Sequence, residues 1–129
     1  MNWLDNALNA HSSAVLLRAK RAEILAANLA NADTPGYKAR DMDFKQVYSQ
    51  VRAGGEIAPK LTHRSHFPIN DNSALNIMPR TPNKEATNGN TVEREVEQSA
   101  FSENSVRYLA SLRFLSGSIK GISDALKGE

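Results

Sequence analysis

From residue 3 to residue 31 the chain contains neither proline nor glycine, and Ala, Leu and Arg, all strong helix formers, dominate the stretch. Little else but one long helix can be built from it. Leu8, Val15, Ala19, Ala22, Ala26 and Leu29 are spaced by seven, four, three, four and three, a heptad step. Leu4, Leu16, Leu17, Ile24 and Leu25 widen that stripe beyond a single seam. At ~1.5 Å per residue the helix would run ~43 Å, longer than a small globule can wrap. Such a rod needs a partner along most of its length.

The helix has a built-in stop. Asn28 and Asn31 are poor interior helix residues, and Pro35 pushes Thr34 out of the α region. Pro35-Gly36 then supplies the two central residues of a type II turn, with Asp33 placed to bond the turn's amides. Tyr37 opens an extended exit through Lys-Ala-Arg-Asp-Met-Asp-Phe. Phe44, Val47, Tyr48 and Val51 repeat at i, i+3, i+4 and i+7, which predicts a short amphipathic helix over 43–53, capped by Asp43 and ended by Gly54-Gly55.

Between about 54 and 90 periodicity disappears. Pro59, Pro68, Pro79 and Pro82 stand there among many Asn, Thr and Ser, the composition of a long loop or arm. A short extended piece at 75–78 is a candidate for local pairing. From 91 to 127 helical spacing returns. Phe101, Ser105, Tyr108, Leu112, Leu115, Ile119, Ile122 and Leu126 step by four and three alternately, a tighter seam than the first. Thr91 with Arg94 and Glu95 offers an imperfect cap. Gly117 and Gly121, four apart, suit close backbone approach, a bend, or fraying near the end.

The expected fold is all-α: long N- and C-terminal helices forming an antiparallel coiled-coil hairpin, with a largely irregular middle arm. Residues 1–44 and 91–129 would be the two halves of one coiled-coil core, and 45–90 the arm. The apolar fraction is 40% and the mean hydropathy -0.48, lean for a self-sufficient core. A single chain should therefore leave apolar stripe exposed, and such surface marks an interaction site.

Charge excludes other roles. The net charge is +2, and residues 1–44 carry five basic and five acidic groups, so no polybasic run for nucleic acid or a membrane surface exists. There is no cysteine, which removes disulfides, thiolate catalysis and Cys-based metal sites. The opening Met-Asn-Trp-Leu-Asp-Asn lacks the cationic and apolar regions of a secretory signal, and no apolar run approaches the ~20 residues of a membrane span. Export, if it occurs, is expected without a cleaved signal.

Catalytic constellations are weak. His63 and His66 are three apart, but a zinc site needs three or four ligands and the nearest carboxylate, Asp71, lies on the far side of a proline. His11 falls on the seam side of the first helix, where a packed, hydrogen-bonded histidine is the plain reading. Asp41 and Asp43 suit a solvated strand and a helix cap better than acid–base work. No phosphate-binding loop or Gly-x-Ser-x-Gly elbow occurs. No enzyme activity, cofactor, metal, nucleic acid or small-molecule substrate is expected.

The run Arg21-Ala-Glu-Ile-Leu-Ala-Ala-Asn-Leu-Ala-Asn-Ala-Asp-Thr-Pro-Gly-Tyr-Lys-Ala-Arg-Asp-Met-Asp-Phe44 closely resembles the signature of the bacterial flagellar rod, hook and associated axial proteins. It is most similar to the proximal-rod members, as is the later Asn88-Gly-Asn-Thr-Val92. The likeness covers both ends, about two thirds of the chain. It implies a structural subunit exported unfolded through the flagellar type III apparatus and built into the periplasm-spanning rod of the basal body. Its partners would be like subunits, adjacent rod proteins and the adaptor at the membrane ring and export gate. The family's shared functional region maps onto Asn28, Asn31, Asp33, Pro35, Gly36 and Tyr37. Its assembly seam maps onto Leu8, Val15, Ala19, Ala22, Ala26, Leu29, Phe101, Tyr108, Leu112, Leu115, Ile119, Ile122 and Leu126. The final helix continues through Ile119–Lys127, beyond the Lys-Gly ending that the resemblance suggests. From the residues alone, a helical adaptor that binds one partner helix in a groove remains the alternative.

Overall fold

The computed structural model describes residues 3–53, 76–84 and 86–128. Its elements are α1 (Trp3–Ala30), β1 (Arg40–Met42), α2 (Phe44–Arg52), β2 (Ile77–Pro79) and α3 (Arg94–Lys127). The fold is mainly α, as expected, and the two long terminal helices dominate it. They run antiparallel: Asn28 meets Glu97, Arg18 meets Ser111, and His11 lies beside Phe114.

Among its described residues the arm contributes a helix and a short strand. β1 and β2 pair antiparallel, with Arg40 opposite Pro79, Asp41 opposite Met78 and Met42 opposite Ile77. Pro79 is tolerated because a two-stranded sheet has an outer edge that needs no amide donor. Within the stretch read as aperiodic, residues 77–79 are thus strand, and Arg80 N donates to Ala39 O at 2.8 Å. The extended piece anticipated at 75–78 overlaps the observed strand, 77–79, at Ile77 and Met78. Residues 54–75, including His63, His66 and the Gly54-Gly55 stop, fall outside the described residues.

The apolar core lies where α1 meets the arm. Leu17, Met42 and Val47 are buried together, and Ile24, Phe44, Tyr48, Val51 and Ile77 pack around them. Each fully buried side chain of this size contributes about 1.5–3 kcal/mol. α2 turns its predicted apolar face onto α1, and Asp43 caps it by accepting from Gln46 N at 3.1 Å. The Arg18 guanidinium sits 4.2 Å over the Phe44 ring, which stacks on Tyr48 at 5.6 Å.

α3 adds no residue to this cluster. Its start departs from expectation. Glu93 is the N-cap and makes no side-chain cap bond, while Thr91 Oγ1 accepts instead from Ala39 N at 2.8 Å. Thr91 is used to hold the extended exit from the turn at Ala39 rather than to cap the helix. At the other end, Gly128 in the left-handed region closes α3 on Asp124 O. The helix continues through Gly117 and Gly121, and among the described residues no other backbone approaches either closely. Among the described residues, no helix is long and apolar enough to cross a membrane.

Candidate functional site

The corner after α1 is held from both sides. Tyr37 N donates to Thr34 O at 3.3 Å, and Gly36 sits at φ 73°, which together make the predicted type II turn. The turn beyond α1 presents carbonyls of its own, which need donors. Here Asn90 supplies the donor: its Nδ2 lies 2.9, 2.9 and 2.8 Å from the carbonyl oxygens of Asn31, Ala32 and Thr34. Asn90 is itself fixed, because Asn88 Oδ1 accepts its amide and its own Oδ1 accepts from Val92 N. The two turns are zipped by Gly36 N to Asn88 O (2.9 Å) and Thr91 N to Tyr37 O (3.0 Å). Lys38 Nζ adds a bond to Gly89 O at 2.8 Å.

Asn28 is the hub beneath this corner and has no exposed surface. Its amide pairs with the backbone of Arg40 as a strand would, Nδ2 donating to Arg40 O at 2.6 Å and Oδ1 accepting from Arg40 N at 3.0 Å. Nδ2 also donates to Glu97 Oε2 at 3.0 Å, and the Tyr37 hydroxyl reaches Oδ1 at 3.4 Å. Glu97, equally buried, accepts through its other oxygen from Arg80. Arg80 continues to Asp41 at 2.6 Å, and Asp41 takes a two-pronged bond from Arg21 at 2.9 Å. The chain of alternating charge ties α1, β1, the residue after β2 and α3 into one unit. Burial pushes the Asp41 carboxyl up, but bonds from Arg21 and Arg80 outweigh it and hold Asp41 below the ordinary carboxylate range. The same bond raises Arg21.

Sequence reasoning placed the turn residues but not all their contacts. Asp33 does not bond the turn's amides; it faces Arg94, both carboxylate oxygens within 3.0 Å, on the exposed side. The Asn31 side chain bonds back to Ala27 O and accepts from Thr34 Oγ1. Pro35 and Gly36 are exposed and Tyr37 is half-buried. Asp41, read as solvating a strand, is instead inside the ion network. Asn90 entered only within the Asn88–Val92 run of the family likeness, and Glu97 and Arg80 were not singled out. The signal of Asn90 and Glu97, a polar residue every seventh position from Asn90 to Ser111, is visible only once it is known which face of the last helix turns inward; Arg80 has no such signal.

The seam residues are split. Leu8, Val15, Ala19, Ala22, Leu29, Phe101, Tyr108, Leu112, Leu115 and Ile122 are half-buried, whereas Ala26, Ile119 and Leu126 are exposed. The innermost positions are others: Leu17, Leu25 and Asn28 on α1, and Glu97, Asn104 and Ser111 on α3. Leu16, Val106, Leu109 and Phe114 stand more than half exposed. A groove of about 410 Å³ runs beside the hairpin between Ala19 and Ala22 on one wall and Tyr108 and Leu109 on the other. His11 is half-buried with its ring 6.3 Å from Phe114. Among the described residues no group of three or more potential metal ligands occurs.

A family model described as "Flagella basal body rod protein" matches residues 8–38, most of α1 and the turn after it. The flagellar basal body rod protein FlgB of Salmonella typhimurium is 40% identical over 135 residues, covering 99% of this chain and 98% of that protein. The chain belongs to the FlgB family of flagellar rod proteins. The FlgB proteins of Escherichia coli and Cereibacter sphaeroides are also 40% identical, over 98% and 100% of this chain. The family match ends at Lys38, while the FlgB likeness carries on through β1, the arm and α3. The clasp between the helix corner and the Asn88–Asn90 turn therefore joins two parts of a FlgB-type chain, not two separate modules.

Proposed function

We propose that this chain is a structural subunit of the flagellar basal-body rod, working by packing rather than by catalysis. The exposed apolar side chains of the hairpin carry this reading: among the described residues Leu16, Val106, Leu109, Phe114 and Ile119 stand more than half exposed. Membership of the FlgB family says what kind of assembly would cover them. In this reading the terminal helices of 1–44 and 91–129 form the packed layer of the tube and the arm faces away from it. Asn28, Asn31, Asp33, Pro35, Gly36 and Tyr37 set the corner between the two. Leu8, Val15, Ala19, Ala22, Ala26 and Leu29 on α1, with Phe101, Tyr108, Leu112, Leu115, Ile119, Ile122 and Leu126 on α3, make the subunit contacts. The partners are copies of this chain, adjacent rod proteins and a membrane-ring or export-gate adaptor, reached by flagellar type III export.

The test is genetic and direct. A strain lacking this chain should be non-motile and lack complete rods by electron microscopy, and the wild-type chain should restore both. Leu112→Asp or Leu115→Asp should restore neither, since a charge cannot be buried unpaired in the seam. Complete rods in the deletion strain would end the reading. The groove between Ala22 and Tyr108 keeps one rival in play, an adaptor that seats a single partner helix; that role predicts intact rods and one stoichiometric partner.

A further inference from the structure

The side chains of α3 that turn most fully toward α1 recur every seven residues and are all polar. Glu97 and Asn104 have no exposed surface, Ser111 has 9%, and the same step carried back reaches Asn90 at 5%. Each is answered by α1 or its terminus. Asn90 holds carbonyls of the turn just beyond α1, Glu97 accepts from Asn28, Asn104 Nδ2 donates to Arg18 O at 2.9 Å, and Ser111 Oγ accepts from Arg18 Nε at 3.0 Å. Asn104 Oδ1 has no partner among the described residues. Apolar residues of similar volume would hold two helices together at least as strongly as such groups do. What polar residues in a heptad interface supply is register.

The apolar seam beside them cannot supply it. Phe101, Tyr108, Leu115 and Ile122 are themselves seven apart, so sliding α3 by one heptad sets one apolar residue where another stood. The same slide is ruinous for the polar line. Asn28 would face residue 90 or 104, and Glu97 would lose Asn28 and Arg80 together, leaving a buried carboxylate alone. We infer that Asn28 and Glu97 are the register-determining pair of this chain, selecting one antiparallel alignment among those the apolar seam would accept equally. The geometry stands by itself; only its use, which is to set where each subunit presents its seam along the rod, rests on the function proposed above.

The full chain has no cysteine, so labels can be placed at will. Glu23→Cys and Ser102→Cys carry spin labels at two exposed positions on facing helices, and pulsed electron–electron resonance reads their separation. The otherwise wild-type chain should show one narrow distance. Asn28→Leu with Glu97→Leu should keep the helical circular dichroism but add a second population, because a heptad slip moves one label by roughly 10 Å along the axis. Glu97→Gln, which keeps an acceptor for Asn28, should retain the single distance. A single unshifted distance in the double Leu variant would overturn the inference. So would loss of its helical signal, since the pair would then be needed for folding as such, and so would several distances in the wild-type background. Because the measurement uses the isolated chain, its failure is separate from any failure to build rods in the cell.

Discussion

Asn28 and Glu97, 69 positions apart, are both completely buried and joined by a 3.0 Å hydrogen bond from the amide to the carboxylate. Around that bond the polypeptide arranges everything the corner needs. Arg40 is held by Asn28 through its backbone, and Arg80 and Asp41 are reached through Glu97. A pair this deep is costly to disturb from one side only, because the partner left behind keeps its desolvation cost and loses its compensation.

Asn28→Ala should therefore destabilise the chain well beyond an ordinary helix substitution. It strands the Arg40 amide and carbonyl and one oxygen of Glu97, and unsatisfied buried groups cost about 1–3 kcal/mol each. Allowing for relaxation, a loss of about 3 kcal/mol is expected. The urea midpoint should fall with the slope unchanged.

Asn90→Ala should release the corner without dissolving it. Three carbonyls lose a shared donor and Val92 N loses its acceptor, a loss comparable to that of a helix cap, about 1–2 kcal/mol. Amide exchange should rise locally, at Gly36 and Thr91, whose bonds zip the two turns, while the middle of α1 keeps its protection.

Acid should find Asp41. Its folded pKa lies below the unfolded value, so its contribution is present above the unfolded pKa and is lost as pH falls through the folded one. The melting temperature should hold near neutrality and drop as the pH falls below roughly 4. Asp41→Asn should melt lower at pH 7 and show a shallower acid fall, and curves of equal slope for the two proteins would count against the network.

Phe114→Ser separates the two uses of an apolar residue. Phe114 is 65% exposed, so the isolated chain should change by no more than about 0.5 kcal/mol. If the exposed face is covered by a neighbouring subunit, swimming should nonetheless fall sharply. A soft-agar motility assay beside a thermal melt gives both readings from one variant.

Much of this was legible in the sequence, and for local reasons. The absence of Pro and Gly in 3–31, the Pro35-Gly36 turn and the i, i+3, i+4 pattern of Phe44 to Val51 are short-range facts, and backbone sterics and amphipathic spacing turn them directly into α1, its corner and α2. The strand at Ile77–Pro79 was legible only as a candidate, because three residues have no periodicity and pair only when β1 is brought to them.

By itself, then, the sequence determined two long terminal helices, the place where the first one stops, and the apolar stripes along them. Only the tertiary structure decided which residues lie innermost. Composition favours Phe101, Tyr108 and Leu115 for the interior, yet Glu97, Asn104 and Ser111 hold it on α3. The reason is that α1 commits Leu17 and its neighbours to the arm, and meets α3 with Asn28 and Arg18. A buried polar residue is stable only where a distant partner meets it at bonding distance, and that meeting exists in three dimensions alone.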